Sequence, residues 1–267
     1  GVIAELDFYM FCQVCALLKR WEREGRPLFC VSVNVSRSNF DVSDFFARYE
    51  RHIAENQVPA RYLEFEFTES VVFDRTDEIN QVIRRIHALG ARCSMDDFGS
   101  SYSSLNMLRS LEVDIIKLDQ GFFRGDTDMD KARSIVNGIV GIARDMRIET
   151  VAEGIEDMGQ VDFLESVGCN VVQGYVFGKP MPADEFQDFK LDDTEIAVKA
   201  LKRAGKAAKT FASIVLAGSL VGIGLVGCSG EAMGNASGRD DEIVLTVSKC
   251  QTKELPQELL DEMTNRH

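Results

Sequence analysis

The feature that most constrains the fold is a regular alternation of strand-like and helix-like patterns along the first 190 residues. The strand-like segments are 28–36, 62–69, 91–97, 113–119, 148–154 and 170–177, at a repeat of roughly 25 to 35 residues. Amphipathic helical patterns lie between them, including a short helix over 103–110 and a helix over 158–167 that ends at Gly168. This alternation is typical of βαβ units that build a parallel sheet. Two architectures are compatible with it, a (β/α)₈ barrel and an open doubly wound sheet. The glycine-rich phosphate turn of a dinucleotide-binding fold is absent from the sequence.

The net charge limits the partners that the chain can bind, and the cysteines indicate the compartment in which it folds. The chain has 267 residues and a formal net charge of −13, so we expect no general basic surface for a DNA or RNA duplex. Most of the seven cysteines lie in apolar runs, as buried free thiols do in a reducing cytosol. Cys12 and Cys15 form a C-x-x-C inside a helical pattern, and we interpret them as core residues.

Polar side chains stand at the carboxyl end of each strand-like segment. The carboxyl ends of the strands converge on the active site in parallel barrels, so six such ends in succession favour a barrel. The predicted fold class is therefore α/β, a TIM-type (β/α) barrel that is incomplete, with six of eight strands visible. The strand-end residues are Asn34, Glu66 with Glu69, Asp96 with Asp97, Lys117 with Asp119, Glu153, and Gln173.

These residue types agree with one kind of chemistry. Carboxylate and amide oxygens are hard donors that suit Mg²⁺ or Mn²⁺, and clustered carboxylates repel one another unless cations neutralise them. None of the three histidines lies at a strand end, which argues against a zinc hydrolase. Lys117 could orient or deprotonate a water molecule, or neutralise a phosphate.

The adjacent aspartates Asp96 and Asp97 pose a geometric problem. Successive strand residues point to opposite faces, so both can face one site only if the strand ends between them and the backbone turns. We expect Gly99 and the serines that follow to supply this turn. Two carboxylates at one edge could then hold two cations close together, an arrangement that activates water for phosphodiester cleavage.

Six stretches together resemble the EAL family of cyclic di-GMP phosphodiesterases, in the family's order and spacing over residues 1 to about 190. The stretches are VSVNVS, EFTES, MDDFGSSYSSL, DIIKLD, VAEGIE and VQGYVFGKPMPADEF. The resemblance implies a TIM-type barrel that hydrolyses cyclic di-GMP to linear pGpG with two Mg²⁺ or Mn²⁺ ions. It places Asn34, Glu66, Asp96, Asp97, Asp119 and Glu153 at metal and supporting positions, Lys117 at the water-activating lysine, and Gln173 at a substrate-binding glutamine.

The resemblance also implies a regulatory loop and a homodimer. Glu69 matches the residue that anchors the loop 98–105, and that loop links the site to the dimer interface in the family. Ser100-Ser101 stands where Thr-Gly is usual. The Glu-Ala-Leu motif that names the family does not occur in the chain. We therefore expect a barrel shortened at its amino-terminal end, with impaired turnover. The alternative function is an inactive domain that binds cyclic di-GMP or a protein as a signal receiver.

The character of the sequence changes after Lys190. Residues 191–210 form a charged linker, 211–228 a hydrophobic segment, and 229–267 a polar stretch with the start of a second domain. The hydrophobic segment resembles a lipoprotein signal in which Cys228 would carry the lipid, and a single membrane span is the alternative. Together these features predict a cytoplasmic domain over 1–190 that is tethered to a membrane through 211–227. The junction of two unrelated segments and a buried helix are further interpretations of this region.

Overall fold

The computed structural model describes residues 2–99, 108–123, 129–188, 211–217, 224–227 and 244–246. The strands are β1 (Cys30–Asn34), β2 (Leu63–Thr68), β3 (Arg92–Phe98), β4 (Ile115–Leu118), β5 (Glu149–Ala152), β6 (Val171–Gln173), β7 (Phe211–Ala217), β8 (Gly224–Gly227) and β9 (Val244–Thr246). The helices are α1 (Val2–Arg23), α2 (Phe46–Asn56), α3 (Glu69–Asp74), α4 (Thr76–Ala88), α5 (Met129–Asp145), α6 (Met158–Val167) and α7 (Ala183–Asp188).

The six predicted strands are confirmed as β1 to β6. Each pairs in parallel with the next in chain order, from β1–β2 through to β5–β6. This sequential order, with helices between the strands, is that of a barrel wall, whereas a doubly wound sheet reverses its strand order at a switch point. The α/β fold and the TIM-type architecture are therefore confirmed.

Three short strands from the region after Lys190 join both edges of this wall. β7 pairs in parallel with β6, β9 pairs in parallel with β1, and β8 pairs antiparallel with β7. The described parts of the hydrophobic segment are thus strands rather than a helix. In the part of the chain that the structure describes, no helix is long and apolar enough to cross a membrane. Cys228 lies outside the described residues, so its lipidation and the membrane tether stay predictions.

The two faces of the strands have different chemistry. Phe65 on β2 and Met95 on β3 belong to a large apolar core that also contains Phe11 of α1 and Ile83 of α4. On the opposite face, the residues whose side chains the structure describes form one small apolar cluster, from Ile115, Val151 and Val171. Because the helices cover the first face, the second faces the barrel interior, and polar side chains occupy much of it.

Helix ends fix the entry of the chain into the strands. The side chain of Asp157 accepts a hydrogen bond from the backbone N–H of Gln160 (3.0 Å) and caps α6. Gly168 ends the helix at φ +83°, a conformation that glycine adopts without a steric penalty. The predicted boundary of this helix is confirmed, whereas α3 was not predicted. The short helix predicted over 103–110 lies mostly outside the described residues.

Candidate active site

Lys117 lies at the centre of a buried cluster of carboxylates. Its Nζ atom is 2.5 Å from Glu153 Oε1, 2.9 Å from Glu66 Oε1 and 3.8 Å from Asp96 Oδ1. Both Lys117 and Glu66 are almost fully buried, at 2% and 1% exposure. These four residues come from the carboxyl ends of β2, β3, β4 and β5, so four of the predicted strand ends do converge.

The electrostatics of the cluster follow from burial and mutual attraction. Burial raises the pKa of Glu66 to about 8, although the charge of Lys117 opposes this shift. Burial also raises the pKa of Glu153, again against the effect of Lys117. Burial alone would lower the pKa of Lys117, but the carboxylates of Glu153 and Glu66 hold it well above its usual value. The cluster therefore carries more acid groups than its one lysine can neutralise, and additional cations would stabilise it.

Asp96 and Asp97 are brought to one site by a different device from the one predicted. The strand does not end between them, since β3 continues to Phe98. Instead, the β3–β4 register shifts between Met95 and Phe98, and Asp97 adopts φ +56°. This bulge re-aims one side chain without ending the strand, and Asp97 N–H donates to Asp96 Oδ1 (3.0 Å). The prediction that the strand ends between the two aspartates was therefore wrong, and the serines of the predicted turn lie outside the described residues.

A cleft of about 310 Å³ opens beside the cluster, and Asp97, Asp119, Glu153, Gln173 and Tyr175 contribute to its lining. Gln173 is 9% exposed, and its Oε1 atom has no hydrogen-bond partner among the described residues. A buried amide oxygen normally has a partner, so this atom is available to a ligand in the cleft. The predicted positions on β4, β5 and β6 thus share one cavity.

The remaining predicted residues occupy supporting positions. Asn34 ends β1 and pairs in register with Glu66. Asp119 Oδ1 accepts a hydrogen bond from Gly121 N–H (2.7 Å), so this carboxylate caps a short 3₁₀ turn while it lines the cleft. Glu69 Oε2 accepts from Gly99 N–H (3.2 Å), a contact that fits the predicted loop anchor. Residues 100–107, most of that loop, lie outside the described residues.

A second polar layer beneath the cluster was missed by the sequence analysis. Glu64 is 1% exposed, and Ser32 and Ser94 are fully buried beside it in the paired strands. Burial raises the pKa of Glu64, while Arg92 and Lys117 lower it. The alternation Leu63, Glu64, Phe65, Glu66 places both glutamates on one face, and this pattern could have identified the layer. It was missed because alternation usually marks a solvent-exposed face, whereas here that face lines a barrel.

The donor set fits divalent cations that prefer oxygen. Each predicted metal position offers a carboxylate or an amide oxygen, and the excess of acid groups around Lys117 supplies the charge that such a cation needs. The residues that would hold cations are Asn34, Glu66, Asp96, Asp97, Asp119 and Glu153.

The chain is similar in sequence to several bacterial signalling proteins. It is 34% identical over 189 residues to the cyclic di-GMP phosphodiesterase PA2567 of Pseudomonas aeruginosa, an alignment that covers 71% of this chain and 32% of that protein. It is 33% identical over 187 residues to the cyclic di-GMP phosphodiesterase PdeR of Escherichia coli, covering 70% and 28%. The chain thus spans about a quarter to a third of the length of these curated relatives.

Solved structures of the same fold include ligand complexes. The phosphodiesterase PaMucR in complex with c-di-GMP has a TM-score of 0.64 at 30% identity, covering 70% of this chain and 75% of that one. A manganese/cy-diGMP complex of Klebsiella pneumoniae BlrP1 has a TM-score of 0.57 at 25% identity, covering 66% and 44%. The EAL domain family model matches residues 1–180. This match, together with the barrel wall and its acidic strand ends, shows that the chain belongs to the EAL domain family.

Proposed function

We propose that this chain binds cyclic di-GMP in the cleft beside Lys117 and hydrolyses one phosphodiester bond to give linear pGpG, with two Mg²⁺ or Mn²⁺ ions. The observation that carries the proposal is the buried cluster of Lys117 with Glu66, Asp96 and Glu153, of which Glu153 lines that cleft. The relatives named cyclic di-GMP phosphodiesterases, and the ligand in the PaMucR complex, support the choice of substrate.

The reaction requires attack of a water oxygen on phosphorus and cleavage of the bond from phosphorus to the 3′ oxygen. The phosphate then stays on the 5′ oxygen, and the released 3′ oxygen takes up a proton. Bound cations would supply charge neutralisation and a more acidic water. Lys117 is fixed beside the cleft by its carboxylate neighbours and can orient a water molecule or hold its proton. If cations shared those carboxylates, the pKa of Lys117 would fall, since the carboxylates are what raise it.

The cleft also has groups suited to the rest of the substrate. Tyr175 is 55% exposed and offers a flat aromatic face on which a guanine base can stack. The Gln173 Oε1 atom can accept a hydrogen bond from an N–H group of the base or from a hydroxyl of the ribose. The substrate is an anion, and the many acid groups here argue that cations, rather than basic side chains, hold its phosphates.

The test compares two lysine variants of the full chain in the presence of Mn²⁺. We expect Lys117→Met to lower the rate of pGpG formation at least about a hundredfold, the usual loss for a proton-handling group. Lys131→Met, on the exposed surface of α5, is the matched control and should keep the starting rate. Chromatographic separation of the products measures both.

Calorimetric titration with cyclic di-GMP separates the outcomes. Binding with no product from the unsubstituted chain would support the alternative function, an inactive signal receiver. The absence of both binding and hydrolysis would overturn the proposed substrate.

Homodimerisation through the loop 98–105 and a cytoplasmic location for 1–190 belong to the same proposal. Light scattering of the purified chain with and without cyclic di-GMP tests for the homodimer.

A further inference from the structure

A second group of metal-ligand side chains lies at the opposite end of the barrel wall. His87 comes from the last turn of α4, Cys93 is the second residue of β3, and Asp114 directly precedes β4. These positions are at the amino-terminal ends of the strands, whereas the candidate active site is at their carboxyl ends. Cys93 and Asp96 are three residues apart along β3, a separation of about 10 Å.

The three donor atoms form a tight triangle. His87 Nε2 is 3.0 Å from Asp114 Oδ2, Cys93 Sγ is 3.4 Å from the same oxygen, and Cys93 Sγ is 3.7 Å from His87 Nε2. A tetrahedral zinc ion with ordinary bond lengths separates its nitrogen, oxygen and sulfur ligands by about 3.3 to 3.6 Å. The observed triangle therefore needs shifts of only a few tenths of an ångström to accommodate such an ion.

The triangle is held by contacts on both of its sides. Asn80, Arg84 and His87 are spaced four and three residues apart, so they share one face of α4. The Asn80 amide donates to Ser110 O and accepts from Glu112 N–H, and Arg84 forms an ion pair with Glu112. These contacts fix the segment before β4 against the helix. The backbone N–H of Cys93 donates to Asp114 Oδ2 (2.8 Å) and orients that carboxylate. The ligands are thus positioned by their surroundings before any ion arrives.

Access and chemistry favour a soft cation over Mg²⁺. The side chains of His87 and Asp114 are 35% and 33% exposed, so an ion can enter from solvent, while Cys93 is fully buried beneath them. A thiolate and an imidazole select zinc or a similar transition metal, whereas Mg²⁺ prefers oxygen alone. Three protein ligands leave a fourth position for water on the exposed side.

We propose that His87, Cys93 and Asp114 bind Zn²⁺ or a similar thiophilic divalent cation. A bound ion would crosslink the end of α4 to the starts of β3 and β4, at the end of the barrel away from the candidate active site. The proposal does not depend on the proposed function, because none of the three residues lies in the cleft.

The test uses Co²⁺ as a spectroscopic probe on the metal-free full chain, with excess Mg²⁺ to occupy the oxygen donors of the candidate active site. A thiolate-to-cobalt charge-transfer absorption in the near ultraviolet should rise to one equivalent and disappear when Zn²⁺ is added. Sulfur ligation alone produces this band, so the predicted metal positions of the candidate active site, which offer carboxylate and amide groups, cannot contribute to it.

The variants make the site assignment specific. His87→Gln and Asp114→Asn should each weaken Zn²⁺ binding at least about tenfold, the lower bound for a group that supports a metal ligand. Cys93→Ser should abolish the band. Cys12→Ser is the matched control, because Cys12 Sγ lies the same 3.7 Å from a histidine, His52 Nδ1, outside the triangle.

Each outcome decides the proposal. A band that persists in Cys12→Ser and is lost in Cys93→Ser supports it, and circular dichroism of each variant shows whether the fold is retained. Since His87 is partly exposed, His87→Gln still tests the site if Cys93→Ser disturbs folding. No band at all, or unchanged Zn²⁺ affinity in His87→Gln, would overturn the proposal and leave a plain histidine–aspartate hydrogen bond.

Discussion

At the scale of single residues, the candidate active site holds one buried lysine, Lys117, and more acid groups than that lysine can neutralise. Burying a charge is costly unless a partner compensates it, and Lys117 can compensate only part of the charge of Glu66, Asp96 and Glu153. The excess appears as raised pKa values on Glu66 and Glu153. Proton uptake and cation binding are therefore competing ways to neutralise the same cluster.

This competition predicts a pH dependence of stability. The Glu66 pKa is about 8 in the folded chain and near 4.5 in the unfolded chain, so the folded state holds the extra proton between these values. In a chelating buffer the free energy of unfolding should fall as pH rises from about 4.5 to 8, by a few kcal/mol at most. The raised Lys117 pKa acts only above its usual value of 10.5 and leaves this window unaffected. Urea unfolding at a series of pH values measures the slope.

Two glutamine variants check the assignment of that slope. Glu66→Gln should reduce the slope, because the neutral amide has no proton to lose, while Glu153 and Glu64, whose pKa values burial also raises, keep part of it. Glu185→Gln, at an exposed position of α7, should leave it unchanged. A stability that rises over the same pH interval in the absence of metal would contradict the account of Glu66 as a protonated buried acid.

The positions of some site residues could be predicted from the sequence, whereas the orientation of Asp97 could not. The strand-end rule identified Lys117, Glu66 and Glu153, because their position depends only on where each strand stops. The orientation of Asp97 depends instead on a register shift against β4, a tertiary feature that no local pattern encodes. Its φ of +56° is uncommon for an aspartate, and it occurs at the candidate site.

At the scale of elements, the carboxyl end of β6 is constrained by backbone packing. A Cβ atom on Gly174 would overlap the backbone oxygen and nitrogen of Ile155. That backbone cannot move freely, because Ile155 N–H donates to Gln173 O (3.0 Å) and Val176 N–H donates to Ile155 O (3.1 Å). The position of Gln173 in the cleft thus depends on a glycine next to it.

Gly174→Ala should therefore lower the free energy of unfolding by about 1–3 kcal/mol or more, the usual cost of overpacking. It should also weaken cyclic di-GMP binding, since Gln173 and Tyr175 move with it. Gly138→Ala is the control, because that glycine lies in α5 with open space around it. The free energy of unfolding of this variant should rise by about 0.5–1 kcal/mol. Denaturant unfolding of both variants gives the comparison, and equal stabilities would refute the packing argument.

Elements with strong periodicity were predicted well, and those without it were not. The six strands and the helices between them follow from alternation and amphipathic spacing. Helix α3 was missed because its six residues follow β2 without a break. The apolar run 211–227 was interpreted as a signal or a span, since its length and lack of charge suit both. Strands β7 and β8 within it show that a short apolar run does not define its own secondary structure.

At the scale of the whole molecule, the two ends of the barrel wall offer different donors. The carboxyl ends of the strands present carboxylate and amide oxygens at the predicted metal positions, whereas a thiol and an imidazole meet one carboxylate at the amino-terminal ends. Such a separation would let one chain hold a hard and a soft cation without exchange between the sites. The stability of the chain should then respond to each cation through different residues.

The response to Mn²⁺ follows from binding linkage. A cation that binds only the folded chain adds about 2.7 kcal/mol to the free energy of unfolding at a concentration one hundred times its dissociation constant. The gain should be larger at pH 8.5 than at pH 6, because Mn²⁺ must displace the proton that burial places on Glu66. Asp96→Asn with Asp97→Asn should remove most of the gain, whereas Asp130→Asn on the exposed surface of α5 should keep it. Thermal unfolding with Mn²⁺ or chelator measures all three chains. An equal gain at both pH values would mean that the cation binds away from the Lys117 cluster, and the oxygen-donor site proposed here would have to be moved.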